Sequence, residues 1–137
     1  MKQISVLIID DSEIDRYVLK RQLNEVGVVD IFESDDGSSA LEFLENYEEN
    51  CKIYNKKFPP VVIFLDINMP IIGGFEFLDK FAELRNRLAL KSCVIMMYSS
   101  SERAEDREKA SSFDFVKDYM TKGEINTQEL RAKIEAL

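Results

Sequence analysis

Apolar runs at residues 4–9, 28–32, 61–65 and 93–98, and a weaker one within 113–120, are each followed by polar or turn-forming residues. Short apolar runs bounded in this way read as strands buried on both faces, the pattern of a parallel sheet. Between them the apolar positions switch to helical spacing. Ile14, Val18, Leu19, Leu23 and Val26 mark a first helix, capped by Ser12 or Asp11, with Glu13 and Asp15 in its first turn and Gly27 at its end. After a loop over 33–37, Ala40, Leu41, Leu44 and Tyr47 mark a second, with Ser39 and Glu42 at capping-box spacing. Residues 50–60 are polar, lysine-rich and closed by Pro59-Pro60, which reads as an exposed connection. Phe77, Leu78, Phe81, Leu84 and Leu88 form the apolar face of a third helix. Residues 102–112 form a fourth, highly charged, with Ala104 and Ala110 as its only apolar residues. Asn126 with Glu129 caps a fifth, whose inward positions are Leu130, Ile134 and Leu137. Strands alternating with helices in this way predict one doubly wound α/β domain over residues 1–137, with a five-stranded parallel sheet and right-handed crossovers.

Composition narrows the function. A chain of 137 residues, 45% hydrophobic and 32% charged, suits one globular domain. The net charge of −8 argues against direct nucleic-acid binding, which needs a basic patch, and makes a cation the more natural guest. With no histidine, any mechanism that needs a histidine base, ligand or phosphohistidine on this chain is excluded. Cys51 and Cys93 make neither a disulfide framework nor a zinc site, so a reducing, cytoplasmic location is expected. No apolar run approaches bilayer length, so no membrane insertion is expected.

A doubly wound sheet brings the carboxyl ends of its strands to one edge, where ligands bind. Asp10 and Asp11 close the first strand, Asp66 the third, Ser99 the fourth and Lys122 the fifth. Singly these are a helix cap, a turn cap, a loop serine and a surface lysine. Together they form a site. Three neighbouring carboxylates repel one another unless a cation joins them, and few protein oxygens with several waters is the pattern of Mg2+. Lys122 adds a fixed positive charge, and Ser99 a hydroxyl able to donate to an oxyanion. A flavodoxin-like cofactor binder would need a phosphate loop where Asp10 and Asp11 stand. A small-molecule aspartyl phosphatase would carry a second Asp where Asn68 stands.

The pieces Val6-Leu7-Ile8-Ile9-Asp10-Asp11-Ser12, Phe64-Leu65-Asp66-Ile67-Asn68-Met69-Pro70 with Gly74, Ser99-Ser100, and Asp118-Tyr119-Met120-Thr121-Lys122 agree in order, spacing and strand-tip position with one family. The chain resembles the receiver domain of bacterial two-component response regulators over essentially its whole length, in the manner of a stand-alone, chemotaxis-regulator-like receiver. The resemblance implies a flavodoxin-like (βα)5 fold with strand order 2-1-3-4-5. It implies that Asp66 accepts a phosphoryl group from a histidine kinase or a histidine phosphotransfer protein. Mg2+, or Mn2+ in its place, would be held by Asp11, the Asp66 carboxylate and the Asn68 backbone carbonyl, with Asp10 acting through water. Lys122 would pair with Asp66 and then with the phosphoryl oxygens, Ser99 would donate to the phosphoryl group, and Tyr119 would be the switch aromatic. The implied protein is a signalling switch, not an enzyme: it catalyses only its own phosphotransfer and slow autodephosphorylation. It would bind a downstream protein through its fourth helix, fifth strand and fifth helix.

Two other readings remain open, a receiver cut from a larger regulator and an interaction module of the same fold that is never phosphorylated. There are departures from the family. Gly123 stands where proline is usual after the lysine, often joined by a cis bond. Before a non-proline residue a cis bond costs about 2.5–4 kcal/mol, so the Lys122 loop is either trans or strained. Gly73 replaces a common acidic residue, Ser111-Ser112-Phe113-Asp114 replaces the usual small-residue turn, and the 50–60 connection is long.

Overall fold

The computed structural model describes residues 3–137; Met1 and Lys2 of the expected 1–137 domain lie outside the described residues. Along the chain run β1 (Ser5–Ile9), α1 (Glu13–Glu25), β2 (Asp30–Ser34), α2 (Gly37–Glu45), α3 (Tyr47–Tyr54), a 3-10 turn (Asn55–Lys57), β3 (Val62–Leu65), α4 (Gly74–Arg87), β4 (Val94–Ser99), α5 (Ala104–Ser111), β5 (Val116–Thr121) and α6 (Thr127–Glu135). The strands form one parallel sheet in the order β2-β1-β3-β4-β5, as the family resemblance implied.

Alternate strand residues feed two cores, which is why β1 beyond Ser5 and the whole of β3 are apolar. On one face Leu7, Ile9, Ile63 and Leu65 pack with Ala40 and Leu44 of α2 and Phe77, Leu78 and Phe81 of α4. On the other Val6, Ile8, Val62 and Phe64 pack with Leu19 and Leu23 of α1 and Leu130 and Ile134 of α6. None of the described helices is long and apolar enough to cross a membrane.

Several local expectations are corrected. In α1 only Leu19 and Leu23 are buried, with Val26 at its cap; Ile14 is 74% exposed and Val18 45% exposed. The second strand starts at Asp30 rather than Val28, because Val28 is held under the end of α1 by its N–H, which donates to the Leu23 carbonyl at 2.9 Å. The α2 cap is Asp36, whose Oδ1 accepts from the Ser39 N–H at 2.6 Å, in place of the expected Ser39–Glu42 box. The largest difference is α3, which occupies much of the expected exposed connection. Its Asn50 is buried and donates from Nδ2 to the Phe43 carbonyl at 2.6 Å. Around it Phe32, Phe43, Tyr47, Tyr54 and Phe58 meet in tilted and edge-on contacts. Tyr47, read as the end of the second helix, instead opens this one. The expectation for the fourth helix holds: α5 buries only Ala110.

Candidate functional site

Register places each site residue. Ile9 pairs with Leu65 at the last rung between β1 and β3, so Asp10 and Asp66 leave the sheet side by side. The Asp66 N–H donates to the Ile9 carbonyl at 3.0 Å, and the Asp10 N–H to the Ser34 carbonyl at 3.1 Å. On the other side of β3, Ser99 pairs with Thr121, and the Lys122 N–H donates to the Ser99 carbonyl at 2.9 Å. These backbone bonds leave the side chains little freedom to drift.

Asp10, Asp11 and Asp66 come together, each offering an oxygen within 4.8 Å of the others. Asp10 and Asp66 are buried, whereas Asp11 is exposed. Asp66 Oδ1 accepts from the Ile67 N–H at 2.8 Å, and its Oδ2 faces Lys122 Nζ at 3.3 Å. Lys122 is the cation of the cluster, 2.7 Å from Asp10 Oδ2 and 2.8 Å from Asp15 Oδ2. Burial pushes the Asp66 carboxyl above the usual range; the Lys122 ammonium opposes that shift and the Asp10 charge adds to it. For Lys122 burial acts downward, but the surrounding carboxylates outweigh it and hold the ammonium charged.

These residues suit a hard cation. The donors are all carboxylate oxygens, and their combined charge exceeds that of one lysine. Asp10 Oδ2 is held by the Lys122 ammonium and has no other hydrogen-bond donor among the described residues, so it keeps lone-pair capacity for a further donor or a cation.

The other expected residues take these places. Ser99 is fully buried, and its Oγ accepts from the Ser101 N–H at 3.2 Å, leaving its own proton free to be donated. Asn68 is exposed in the turn that leaves β3. Tyr119 is half-buried and donates its hydroxyl to the Ser101 carbonyl at 2.9 Å. The Lys122–Gly123 bond is trans, since the only cis bond among the described residues is Phe58–Pro59. Gly123 has φ +81° with open space where a Cβ would stand, a conformation proline's ring forbids, so the departure from the family's proline is a different loop rather than a strained copy.

Asp15, expected only to complement the dipole of the first helix, also belongs to the site; its signal was its place in the first turn of the helix that starts directly after the Asp10-Asp11 strand tip. Gly74 has a role that its place in the family pattern did not reveal. A Cβ there would stand 2.5 Å from the Asp66 carbonyl oxygen, so α4 is seated directly on the strand exit that carries the central carboxylate.

A family model described as the response regulator receiver domain matches residues 6–135. The chain is 32% identical over 111 residues to the sensor protein EvgS of Escherichia coli (strain K12), covering 81% of this chain but only 8% of that protein. It resembles a two component response regulator from Cytophaga hutchinsonii with a TM-score of 0.82 and 26% identity, over 98% of this chain and 97% of that one. The receiver domain of the histidine kinase CKI1 from Arabidopsis thaliana, complexed with Mg2+ and BeF3−, shares the fold at a TM-score of 0.76 and 22% identity, over 98% and 91% of the two chains.

Proposed function

The chain belongs to the response regulator receiver domain family, whose members are signalling switches of two-component systems, and from that premise we propose that Asp66 accepts a phosphoryl group from a phosphohistidine on a partner kinase or phosphotransfer protein. The observation that carries the reading is the buried Asp66 carboxylate, with Asp10 and Asp11 within 4.8 Å and Lys122 Nζ at 3.3 Å. An Asp66 oxygen attacks phosphorus, the P–N bond to the donor imidazole breaks, and the departing nitrogen takes up a proton. Asp66 is left as an acyl phosphate. Such a transfer passes through a loose transition state, so catalysis is mainly alignment and charge neutralisation. Lys122 supplies a fixed cation beside the attacking carboxylate, and Ser99 a buried hydroxyl for a phosphoryl oxygen.

Asp11, Asp66 and the Asn68 carbonyl would hold Mg2+ or Mn2+, with Asp10 acting through water. The metal, when bound, supplies further neutralisation of the charge on the transferred group. Because it would bind the folded site, Mg2+ alone should stabilise the protein by about 2.7 kcal/mol at a hundred times its Kd. That corresponds to a rise in Tm of roughly 10 °C for a domain of this size. Asp11→Ala should remove the rise; an equal rise in that variant, measured by calorimetry, would move the metal elsewhere.

Exposed Ile14, Tyr17 and Val18 on α1 and Ile71 beyond β3 lie close in sequence to Asp11 and Asn68, and offer an apolar surface for the donor. The output face would be α5, β5 and α6, acting on a protein target, in the cytoplasm. The family relationship to a much longer sensor protein favours a second reading, in which this domain is one module of a larger regulator.

The deciding experiment is incubation with Mg2+ and a small phosphodonor, read by intact mass. A phosphate-sized adduct that does not form when the metal is chelated beforehand is the expected result. No adduct at saturating donor and metal would refute the proposal.

A further inference from the structure

Helix α5 is thinly held, since Ala110 is its one buried residue. A polar side chain of α5 also reaches across to β5. The Arg107 guanidinium lies over the Tyr119 ring, 4.5 Å from the centroid, and its Nη2 donates to Thr121 Oγ1 at 2.9 Å. Both partners matter by position. Thr121 pairs with Ser99 in the sheet and directly precedes Lys122. Tyr119 donates its hydroxyl to the Ser101 carbonyl at 2.9 Å.

Ser101 is itself a junction. Its N–H donates to Ser99 Oγ at 3.2 Å, and its hydroxyl donates to Asp106 Oδ2, in the first turn of α5, at 2.5 Å. The contacts therefore close a ring, from Ser99 through Ser101 and Tyr119 to Arg107 and back through Thr121, the sheet partner of Ser99. We infer that Arg107 is a positioning residue, a clamp that holds α5 on β5 in the unphosphorylated protein and couples the site's serine to the output face. This rests on the phosphoacceptor reading of Asp66 only for its trigger. When Ser99 turns its hydroxyl toward a phosphoryl group, its bond from Ser101 is disturbed, and Ser101 is what holds the Tyr119 hydroxyl under Arg107.

A second seat for the guanidinium stands close by. Arg107, Tyr119, Thr121 and Glu124 line one surface pocket, so a guanidinium released from Tyr119 finds the Glu124 carboxylate within that pocket. Two alternative seats for one side chain are what a two-state element requires.

Amide hydrogen exchange over 104–111 and 119–121 tests the clamp in the wild type, Arg107→Ala and Arg107→Lys, before and after loading with Mg2+ and a small phosphodonor. Arg107 is exposed, so the variants keep the core intact. In unmodified protein, Arg107→Ala should exchange on the order of tenfold faster over α5. Lysine, which keeps the charge but lacks the planar fork that reaches Thr121, should fall between. Loading should move the wild type toward the alanine variant and change that variant little. Equal α5 exchange in unmodified wild type and Arg107→Ala would overturn the clamp. Intact mass reports separately whether phosphate was loaded, so failure of the phosphoacceptor reading appears as an unloaded wild type and leaves the comparison of unmodified proteins valid. Full loading with no change in wild-type α5 exchange would overturn the coupling.

Discussion

Asp66→Asn should carry no phosphate-sized adduct after incubation with Mg2+ and a small phosphodonor, under conditions that load the wild type. The amide keeps the carboxylate's shape and can still accept from the Ile67 N–H, so the strand exit should be preserved. What is lost is the nucleophile, because an amide oxygen cannot form the acyl phosphate. Stability separates this loss from unfolding. Burial already holds the Asp66 carboxyl above its usual range, so the folded state disfavours that charge. A neutral group there leaves Asp10 and Asp15 to share Lys122 with less repulsion. The metal-free variant should therefore melt no lower than the wild type while showing a smaller rise with Mg2+. An adduct persisting in Asp66→Asn, located by peptide mapping to another residue, would refute the assignment.

Gly74→Ala should be among the most destabilising small substitutions in the chain, although alanine is the better helix former by about 1 kcal/mol. The added Cβ would meet the Asp66 carbonyl oxygen at 2.5 Å and Ile67 Cα at 2.8 Å. Both are backbone atoms, and neither can turn aside. Position is fixed from both sides: the Gly74 N–H donates to the Ile67 carbonyl at 2.8 Å, and α4 is anchored by Phe77, Leu78, Phe81 and Leu84 in the core. Overpacking of this kind costs typically 1–3 kcal/mol, and with no side chain free to yield the upper end is expected. Net of the propensity gain, that leaves about 2 kcal/mol, a fall of roughly 8 °C in Tm. Because the clash bears on the Asp66 peptide, phosphate loading should slow as well. Gly73→Ala is the control, since a Cβ there meets the Ile67 carbonyl oxygen at an ordinary 3.4 Å. Wild-type Tm in Gly74→Ala would show that α4 does not press on the strand exit as described.

The features legible in the sequence were those that depend on local pattern and burial. A strand buried on both faces is apolar at nearly every position, so β1 and β3 were evident, and with them Asp10, Asp11 and Asp66 at their ends. Because all strands run parallel, Ser99 and Lys122 could be assigned to the same edge before any distance was known. Where burial is achieved by other means, the pattern failed. Helix α3 leaves Ile53 exposed and buries Asn50 instead, through a hydrogen bond to Phe43, so its segment looked like an exposed loop. Ile14 and Val18 have helical spacing in α1 yet remain exposed, because spacing identifies a face and not whether anything covers it.

Tertiary structure alone decided which charges and rings share a neighbourhood. Asp15 meets Lys122 across 107 positions of chain, and that contact follows from the packing of α1 beside the end of β5. Arg107 could be read as one more charge on a charged helix; only the approach of α5 to β5 places it over Tyr119. The residue types at the centre, and the order in which strands deliver them, are properties of the sequence, because hydrophobic burial and strand direction are encoded locally. How tightly Lys122 is shared, and what restrains the output helix, depend on side-chain distances between remote segments, and those exist only once the sheet and its two layers of helices have packed.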